Sequence, residues 1–371
     1  MNKAMAFNPL RPFNDLPLLP PRIDLETKRI LKKVASARGA LGELKGIVNL
    51  IPNQTILLNT LILEEARDSS EIENIFTTRD KMYKALALST TNIDPATKEV
   101  LRYRESLWSG YGAVMKDRKL TTGLIIQMQK SLVEKNAGIR TKPGTYIGNR
   151  ATGEVSYTPP DGEQLIRDLL TNLEDYLGST DSVDPLIKLG VIHYQFEAIH
   201  PFYDGNGRTG RIVNVLYLIL HGLLELPILY MSSYVIRHKP QYYNLLRKVT
   251  TEQAWEEWIL YMLDAVEQTS YETIEKVNKI KTLLETTIEI VRKKAPKIYS
   301  KELVELLFHQ PYTRIGSLVE GGIAARKAAG LYLRELEKTK VLKSLKIGKE
   351  VIFINVALYN LFGGKASAAG K

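Results

Sequence analysis

The chain has 371 residues, a formal net charge of +10, 25% charged residues and no cysteine. The lack of cysteine excludes a disulfide framework and a thiolate metal site, and it predicts a reducing compartment, by default the cytoplasm. Positive charge favours anionic partners such as nucleotides, nucleic acid or acidic proteins, although solubility alone accounts for it equally well. The N-terminus lacks the apolar stretch of a signal peptide, and no window reaches the roughly 18 uninterrupted apolar residues of a membrane span.

Apolar residues spaced three and four apart predict a mainly α fold. A proline-rich arm (residues 1–22) comes first, and helical periodicity runs from Asp24 to about Ala87. A turn at Asn92–Thr97 leads into a helix that ends near Met115. Further helices are predicted at Thr122–Lys135, Asp161–Tyr176, Pro185–Ile199, Thr209–Gly222 and Gln241–Val249, from Trp255 onward, and through Glu272–Lys294.

Only two segments have the pattern of strands. One is a hairpin at Tyr146–Tyr157, which turns near Ala151–Glu154 and precedes two prolines; the other is Val341–Asn355. Low complexity is confined to the tail Gly363–Lys371. We predict three domains: an N-terminal helical region (1–96), a core with its connector helix (97–294) and a C-terminal domain (295–371). The helices predicted in the last domain are Lys301–His309, Ile315–Val319 and the basic Ala324–Lys338.

The densest group of chemically active residues is the segment His200-Pro-Phe-Tyr-Asp-Gly-Asn-Gly-Arg-Thr-Gly-Arg211. It contains Gly205-x-Gly207-x-x-Gly210, formally a dinucleotide-binding fingerprint, and Glu225 follows at about the ribose-binding distance of twenty residues. That fingerprint must follow a strand, whereas residues 184–199 have helical periodicity. The match to a dinucleotide site is therefore accidental.

The same residues still predict an anion site. Glycines let successive amides face one concavity, and a helix that starts near Thr209 adds its positive end. Arg208 and Arg211 supply forked guanidiniums for a polyphosphate. Asp204 suits Mg²⁺, which takes one or two carboxylates plus phosphate oxygens, and His200 has the ordinary pKa of a base. A structural histidine and a plain capping turn are the alternatives, but the coincidence of all these groups favours a functional site.

At every fixed position this segment resembles the signature His-Pro-Phe-x-Asp-Gly-Asn-Gly-Arg-x-x-Arg of Fic-domain protein adenylyltransferases. Residues 97–270 are similar to the Fic core. The resemblance implies transfer of AMP from ATP to a Ser, Thr or Tyr hydroxyl of a target protein or of the enzyme itself. His200 would deprotonate the hydroxyl, and Asp204 would hold Mg²⁺. The nucleotide-binding residues that it implies are Thr145, Tyr146, Ile147, Gly148, Gly205, Asn206, Gly207, Arg208, Thr209, Gly210, Arg211 and Tyr242.

The resemblance also assigns the elements around the signature. The hairpin Tyr146–Tyr157 resembles the flap that covers the nucleotide and docks the target by strand addition, the alternative being an ordinary surface hairpin. Phe202 is expected in the core as an apolar anchor of the loop. Tyr242 corresponds to an adenine-contacting tyrosine, but the asparagine that some relatives carry eight residues later is Thr250 here.

A second motif resembles the inhibitory helix of autoinhibited Fic proteins, Ser/Thr-x-x-x-Glu-Gly/Asn. Within residues 68–76 its positions are Ser69, Glu73 and Asn74. The resemblance implies that Glu73 pairs with Arg211 and occupies the guanidinium that the γ-phosphate needs. The alternative, which can also hold at the same time, is a capping box at a helix start, with Ser70 and Glu73 as its members. In some relatives the same glutamate supports removal of AMP, which is a second activity to consider here.

The C-terminal helices and hairpin resemble a winged helix-turn-helix, in which Arg326, Lys327 and Arg334 would contact DNA. Such modules also serve in dimerisation or protein docking, and homodimers are common among relatives. Two alternative functions stay open. One is a DNA-binding regulator whose Fic core senses a nucleotide, and the other is a Fic enzyme that uses another phosphate-linked donor.

Overall fold

The computed structural model describes residues 7–49, 51, 53–88, 93–134, 138–149 and 152–363. Parts of four predictions lie outside the described residues: residues 1–6 of the proline-rich arm, the turn residue Asn92, the helix end Lys135 and the hairpin residues 150 and 151. So does the low-complexity tail beyond Gly363. None of the described helices is both long and apolar enough to cross a membrane.

The fold is mainly helical, as predicted. The helices are α1 (Lys28–Val48), α2 (Gln54–Ile72), α3 (Arg79–Ala87), α4 (Pro95–Asp117), α5 (Thr122–Leu132), α6 (Glu163–Gly178), α7 (Pro185–Ile199), α8 (Asn206–Leu220), α9 (Met231–Arg237), α10 (Lys239–Glu252), α11 (Trp255–Lys294), α12 (Lys301–His309), α13 (Ile315–Glu320), α14 (Arg326–Lys338) and α15 (Val356–Leu361). The strands are β1 (Ile147–Asn149), β2 (Glu154–Tyr157), β3 (Tyr312–Arg314), β4 (Leu342–Ile347) and β5 (Glu350–Asn355).

Strong end signals explain the helices that were predicted well. Helix α7 has the predicted bounds because Asp184 caps its first turn, accepting from the amide of Leu186, and Pro185 occupies the first position, where its missing amide costs nothing. Helix α12 is capped in the same way by Ser300. The two helices predicted after Trp255 are one continuous helix, α11, of 40 residues.

Four elements correct the sequence analysis. The prediction of only two strand segments is wrong, because β3 pairs antiparallel with β5 and makes a sheet in the order β3-β5-β4. A three-residue strand is too short to reveal a period. The helix predicted from Thr209 begins three residues earlier, at Asn206, behind a left-handed Gly205 with φ of 80°. Helices α9 and α15 were not predicted.

The chain divides into two compact units. Unit 1 comprises residues 1–45, 68–75 and 102–271, and unit 2 comprises residues 46–67, 76–101 and 272–371. Helices α1, α2, α4 and α11 contribute residues to both. The units are thus interleaved along the chain, whereas the three domains proposed from the sequence are contiguous segments and stay a prediction.

Helix α7 is the centre of unit 1. Thirteen of its fifteen residues are buried, which is the pattern of a helix enclosed on all sides. Gly190 faces α11, where a Cβ would be in ordinary contact with the Ile259 side chain at 3.5 Å, and Trp258 donates to the Gly190 carbonyl at 2.8 Å. His200, at the C-terminal end of α7, is therefore carried by a fully packed helix.

In unit 2 the C-terminal sheet packs on the helix α3. The rings of Tyr83, Tyr312 and Tyr359 lie 5.8–6.1 Å apart, and the Tyr312 hydroxyl donates to Asp80 at 2.6 Å. Buried Ala329, Leu333 and Leu336 give α14 its inner face. The element order α12-β3-α13-α14-β4-β5 contains the predicted helices and hairpin, with β3 added.

Candidate active site

His200 is the residue on which α7 ends. It adopts a left-handed backbone conformation (φ 47°, ψ 58°), and its amide donates to the Phe196 carbonyl at 3.0 Å. Burial and the charge of Arg140 lower the pKa of the imidazole to about 4, although Glu73, the Glu197 backbone and Asp204 act in the opposite direction. The ring is therefore neutral at pH 7 and able to accept a proton.

The loop after His200 is held by its own side chains. The side-chain oxygen of Asn206 accepts from the Phe202 amide at 2.9 Å, and its Nδ2 donates to the Phe202 carbonyl at 2.8 Å. Phe202 is fully buried, as predicted. From α5, Gln129 donates to the Asp204 carbonyl at 3.0 Å. Because the Asn206 side chain is hydrogen-bonded within the loop, only the main-chain N–H of Asn206 can face a ligand.

Helix α8 starts inside the signature, so its positive end lies at the loop. The first amides of a helix, here those from Asn206 and Gly207 onward, have no partner within the helix and are available to an anion. Asp204 stands at this end with 61% of its side chain exposed. Its Oδ1 accepts from the Gly205 amide at 2.6 Å and from Arg208 Nη2 at 3.3 Å.

The carboxylate of Asp204 fits Mg²⁺ only together with other oxygens. The described residues contain no cluster of three His, Asp or Glu side chains that could hold a metal ion by themselves. One exposed carboxylate is nevertheless what Mg²⁺ uses when phosphate oxygens and water complete its shell. A nucleotide would have to bring those oxygens.

The other signature residues on α8 are buried. Arg208 is 2% exposed and Thr209 is fully buried. Gly210 packs on α7, where a Cβ would lie 2.7 Å from Glu197 Oε1 and 3.0 Å from the Phe196 ring. Close packing of the two helices therefore explains Gly210, and the binding roles of these three residues stay predictions.

Arg211 is bound by the last turn of α2. Its Nε donates to Ser69 Oγ at 2.7 Å, and its Nη2 donates to the Ser69 carbonyl at 2.8 Å and to Glu73 Oε1 at 2.7 Å. Burial would raise the pKa of Glu73, but the charge and hydrogen bond of Arg211 lower it below the usual range. The contact expected between Glu73 and Arg211 is therefore present as a charged pair.

The Glu73 carboxylate also lies against the first turn of α8. A Cβ at Gly207 would overlap Glu73 Oε1 and would come within 3.0 Å of Arg211 Nη1. Glycine is required at position 207 for the carboxylate to reach this place. Glu73 thus occupies, with its negative charge, the positive end of the helix where an anion is expected.

The capping-box interpretation of Ser70 and Glu73 is wrong. Helix α2 begins at Gln54 and ends at Ile72, so these residues lie at its C-terminus. Asn74 is left-handed (φ 61°), its amide donates to the Glu71 carbonyl, and the Ile75 amide donates to the Ser70 carbonyl, both at 3.0 Å. This is a Schellman motif, in which asparagine or glycine is favoured at the left-handed position. Lys239 Nζ donates to the Ile72 carbonyl at 2.7 Å and completes the cap.

The predicted flap is the antiparallel hairpin β1–β2, whose turn includes residues 150 and 151 outside the described part of the chain. Tyr146 is 51% exposed, whereas Thr145, Ile147 and Gly148 are half-buried. A bulge between Ile147 and Gly148 brings the strands so close that a Cβ at Gly148 would overlap the Glu154 carbonyl. The nucleotide contacts of these residues stay predictions.

Tyr242, the predicted adenine neighbour, is a core residue. It is 2% exposed, and its hydroxyl forms a 2.8 Å hydrogen bond with His193 Nε2. The next residue, Tyr243, is 42% exposed, and besides burial the Glu73 charge raises the pKa of its phenol, against the opposing charge of Arg211. Tyr243 is thus the exposed ring of the two and Tyr242 the buried one, and the adenine contact stays a prediction. The helical period of α10 contained this signal, because Tyr242, Leu245 and Val249 form its buried face.

Two more residues near the site were not predicted. Arg140 donates to the His200 carbonyl at 2.8 Å. Glu197 has a buried Oε1 without a hydrogen-bond partner among the described residues. Burial raises the pKa of Glu197 to about 7, with Arg211 opposing and Glu73 adding to the shift.

Three family models match the chain. "Fic/DOC family N-terminal" covers residues 31–112, "Fic/DOC family" covers residues 119–218, and "Protein adenylyltransferase SoFic-like, C-terminal domain" covers residues 283–358. The middle model contains the complete signature and most of the flap-to-α8 region. The first two matches are separated by residues 113–118, whereas residues 219–282 lie between the second and the third match and are covered by neither.

Curated relatives and solved structures agree with these models. A probable protein adenylyltransferase of Aquifex aeolicus is 26% identical over 195 residues, which is 52% of this chain and 56% of that protein. A protein adenylyltransferase of Caenorhabditis elegans is 34% identical over 65 residues, 17% of this chain and 13% of that protein. The chain thus spans little more than half of the first relative. A Fic family protein from Desulfovibrio desulfuricans has the same fold (TM-score 0.56, 18% identity, 90% of this chain and 98% of that one).

Proposed function

Because the chain belongs to the Fic/DOC family, we propose that it is an ATP-dependent protein adenylyltransferase that Glu73 holds in an inhibited state. The acceptor is a Ser, Thr or Tyr hydroxyl of a target protein or of the enzyme itself. One observation carries the proposal. A neutral His200 and the positive end of α8 lie on one loop, and the Arg211 guanidinium beside them is occupied by a carboxylate.

The base follows from the state of His200. With a pKa of about 4 the imidazole is neutral at physiological pH, so it can take the proton of an acceptor hydroxyl as oxygen attacks the α-phosphate. The bond from the α-phosphorus to the β-phosphate oxygen breaks, and pyrophosphate leaves. Positioning and charge neutralisation provide most of the catalysis in such transfers.

The phosphates would be held by the first amides of α8 and by Arg208 and Arg211. Asp204 would hold Mg²⁺, which supplies further positive charge to the triphosphate. Tyr243 would stack on the adenine. The flap would add a strand of the target to β1 and so present the acceptor to His200.

Inhibition follows from competition for one guanidinium. Arg211 Nη2 cannot donate to Glu73 and to an outer phosphate in the same geometry, and the Glu73 carboxylate would also repel that phosphate. ATP would then bind with its α-phosphate out of line for attack. The same carboxylate could position a water molecule for removal of AMP, and we include this second activity in the proposal.

The test is transfer of label from α-labelled ATP in the presence of Mg²⁺, with wild type, Glu73→Gly and His200→Ala compared in lysate and alone. We expect labelling to rise at least tenfold in Glu73→Gly and to vanish in His200→Ala. Glu71→Ala, two residues away on the same turn, removes a carboxylate without the backbone freedom of glycine, so it is the control and should behave as wild type. ATP binding by all variants without any labelling would reject AMP transfer and leave another donor or a sensing role.

Two assays on the same samples address the remaining proposals. Incubation of a pre-labelled target with wild type and Glu73→Gln tests removal of AMP, which only wild type should support. Light scattering during gel filtration tests the homodimer that the family resemblance implies. A monomer at micromolar concentration in both the wild type and Glu73→Gly would reject the dimer.

A second function, DNA binding by the C-terminal helices and hairpin, has a specific observation in its favour. On α14 and the β4–β5 hairpin, six exposed basic residues form no ion pair with another described residue: Arg326, Lys327, Arg334, Lys343, Lys346 and Lys349. Cations of α14 and of the β4–β5 hairpin would contact phosphates on a duplex.

The measurement is fluorescence anisotropy of a labelled duplex with the full chain. If Arg326 and Lys327 contact phosphates, affinity should fall steeply between 50 mM and 200 mM salt, and Arg326→Glu/Lys327→Glu should weaken it further. A duplex affinity that changes neither with salt nor in this variant would reject the DNA function, and the proposal of AMP transfer would be unaffected.

A further inference from the structure

The last three carbonyls at the end of α7 are bonded by two side chains from outside the helix. The Tyr157 hydroxyl donates to the Ala198 carbonyl at 2.9 Å. Arg140 Nη2 donates to the Ile199 carbonyl at 3.3 Å, and Arg140 Nε donates to the His200 carbonyl at 2.8 Å. Carbonyls at a helix C-terminus lack partners within the helix, and a cation is favoured there. Arg140 therefore caps the helix that carries the base.

The burial of Arg140 makes this cap unusual. Its side chain is 1% exposed, and the nearest carboxylate, that of Asp161, lies 3.7 Å from Nη1. Its other bonds go to neutral groups: Nη2 donates to the Pro160 carbonyl, and its main-chain amide donates to the Pro201 carbonyl at 2.9 Å. A buried charge held mainly by carbonyls is expensive, so its position calls for a role that an uncharged side chain could not fill.

We propose that Arg140, assisted by Tyr157, is the positioning residue of the base, fixing the left-handed backbone of His200 and hence the direction of the imidazole. The proposal rests on the proposed function of His200, but the bonds that it invokes do not. A non-glycine residue adopts the left-handed conformation only where its surroundings impose it. Here Arg140 Nε holds the His200 carbonyl, and the Phe196 carbonyl holds the His200 amide.

The charge of Arg140 has a second effect on the same ring. After burial it is the largest cause of the lowered pKa of His200, against Glu73, the Glu197 backbone and Asp204. Loss of this charge would let the imidazole bind a proton more easily. A change at Arg140 thus alters both the direction and the protonation of His200.

The two capping residues are neighbours of the flap in the chain, one before it and one at its C-terminal end. Arg140 precedes β1, and Tyr157 is the last residue of β2. The rings of Phe7 and Phe13 from the N-terminal arm lie 6.1 and 6.2 Å from the Tyr157 ring, and so brace it from the other side. The flap and the base therefore share one support, and a target docked on the flap would be aligned with the imidazole through it.

The test uses Arg140→Met, Arg140→Lys and Tyr157→Phe in the full chain, each in the Glu73→Gly background. Arg167→Met, at an exposed arginine of α6, is the matched control. Three quantities are measured: kcat for AMP transfer, ATP affinity by calorimetry, and the titration of His200 by NMR of ring-labelled histidine. The chain has five histidines, and His200→Ala assigns the signal.

We expect Arg140→Met to lower kcat about 100-fold, as misplacement of a catalytic group does, while ATP affinity changes less than twofold. The His200 pKa should rise by about one unit. Arg140→Lys should restore the pKa of His200 but only part of kcat, because an ammonium group cannot reproduce the forked hydrogen bonds of a guanidinium. Tyr157→Phe should lower kcat about fivefold, and Arg167→Met should match the parent.

Unchanged kcat and unchanged His200 titration in folded Arg140→Met would overturn the proposal, as would an equal loss of ATP affinity and kcat. If Arg140→Met does not fold, the test rests on Arg140→Lys and Tyr157→Phe. A kcat equal to that of the parent in both variants would then overturn the proposal. If no variant transfers AMP at all, the proposed function has failed, whereas the NMR titration still accepts or rejects the role of Arg140.

Discussion

Arg211 and Glu73 are 138 positions apart in the chain, yet the guanidinium donates to the carboxylate at 2.7 Å. The pair does not stand alone. Ser69 receives two further hydrogen bonds from the same guanidinium, one on its hydroxyl and one on its carbonyl. The last turn of α2 therefore binds Arg211 with one charged group and two neutral ones, and the strength of the proposed inhibition is divided between them.

Ser69→Ala should release the inhibition in part. The change removes the acceptor of Arg211 Nε but keeps the Glu73 pair and the Ser69 carbonyl. A lost hydrogen bond to a charged group is worth about 1.5 kcal/mol or somewhat more, so basal AMP labelling should rise roughly tenfold, short of the level in Glu73→Gly. Ser70→Ala is the matched control, because the buried Ser70 hydroxyl has no partner among the described residues. Equal labelling by Ser69→Ala and Ser70→Ala would mean that the Ser69 hydroxyl contributes nothing to the inhibition.

Asn74 should control the inhibition through its backbone. It is exposed and left-handed, so its side chain contributes little packing, but a β-branched residue would strain the Schellman motif by about 1–2 kcal/mol. We expect Asn74→Val to raise basal labelling severalfold and Asn74→Gly to leave it at or below the wild-type level. The comparison is made by labelling with α-labelled ATP. If valine and glycine changed basal labelling equally, the inhibition would depend on the asparagine side chain and not on its backbone conformation.

The neighbours Tyr242 and Tyr243 should separate stability from nucleotide binding. Tyr243→Ala removes an exposed ring and should weaken ATP binding about tenfold by calorimetry, the usual magnitude for one aromatic ring stacked on a base, with little change in Tm. Tyr242→Phe removes a buried hydrogen bond to His193, worth about 1 kcal/mol, and should lower Tm by a few degrees while ATP affinity holds. The opposite pattern would restore Tyr242 as the adenine neighbour.

Glu197 should make stability depend on pH. Its folded pKa of about 7 lies above the ordinary value of 4.5, so between these values the unfolded chain has released the proton that the folded protein still holds. Stability from this group is therefore present at pH 4.5 and is lost as pH rises to about 7, by an amount on the order of 3 kcal/mol.

Glu197→Gln abolishes this titration. The Tm difference between Glu197→Gln and wild type should become more positive from pH 5 to pH 8, measured by scanning calorimetry. Glu252→Gln, at an exposed position on α10, should show no such trend. A Tm difference for Glu197→Gln that is the same at every pH would contradict the raised pKa.

Elements with local signals could be predicted from the sequence, and contacts between distant segments could not. Asp184 and Pro185 define the start of α7 within a few residues of chain, so its bounds were correct. The start of α8 was missed because Gly205 resembles a turn residue, although its left-handed conformation serves as the N-cap. The approach of Glu73 to Arg211 was expected only from the family resemblance.

Arg140 had no signal at all. Its side chain donates to carbonyls about 60 positions away in the chain, and no local sequence pattern reveals such contacts. The exposure of Tyr243 was not predicted, for a different reason. Two adjacent tyrosines on a helix point in different directions, and only the buried face of α10 shows which of them enters the core.

The Glu73 carboxylate, to which inhibition is assigned in the proposal, lies at a helix end, and helix ends fray. Breaking the cap that Lys239 and Asn74 make would let residues 69–73 unwind while the preceding turns of α2 stay intact. The basal rate of the enzyme would then measure a local opening equilibrium, separate from global unfolding. Variants of this one turn should change the basal rate over a wide range at nearly constant Tm, and a ligand that binds the frayed turn would act as an activator.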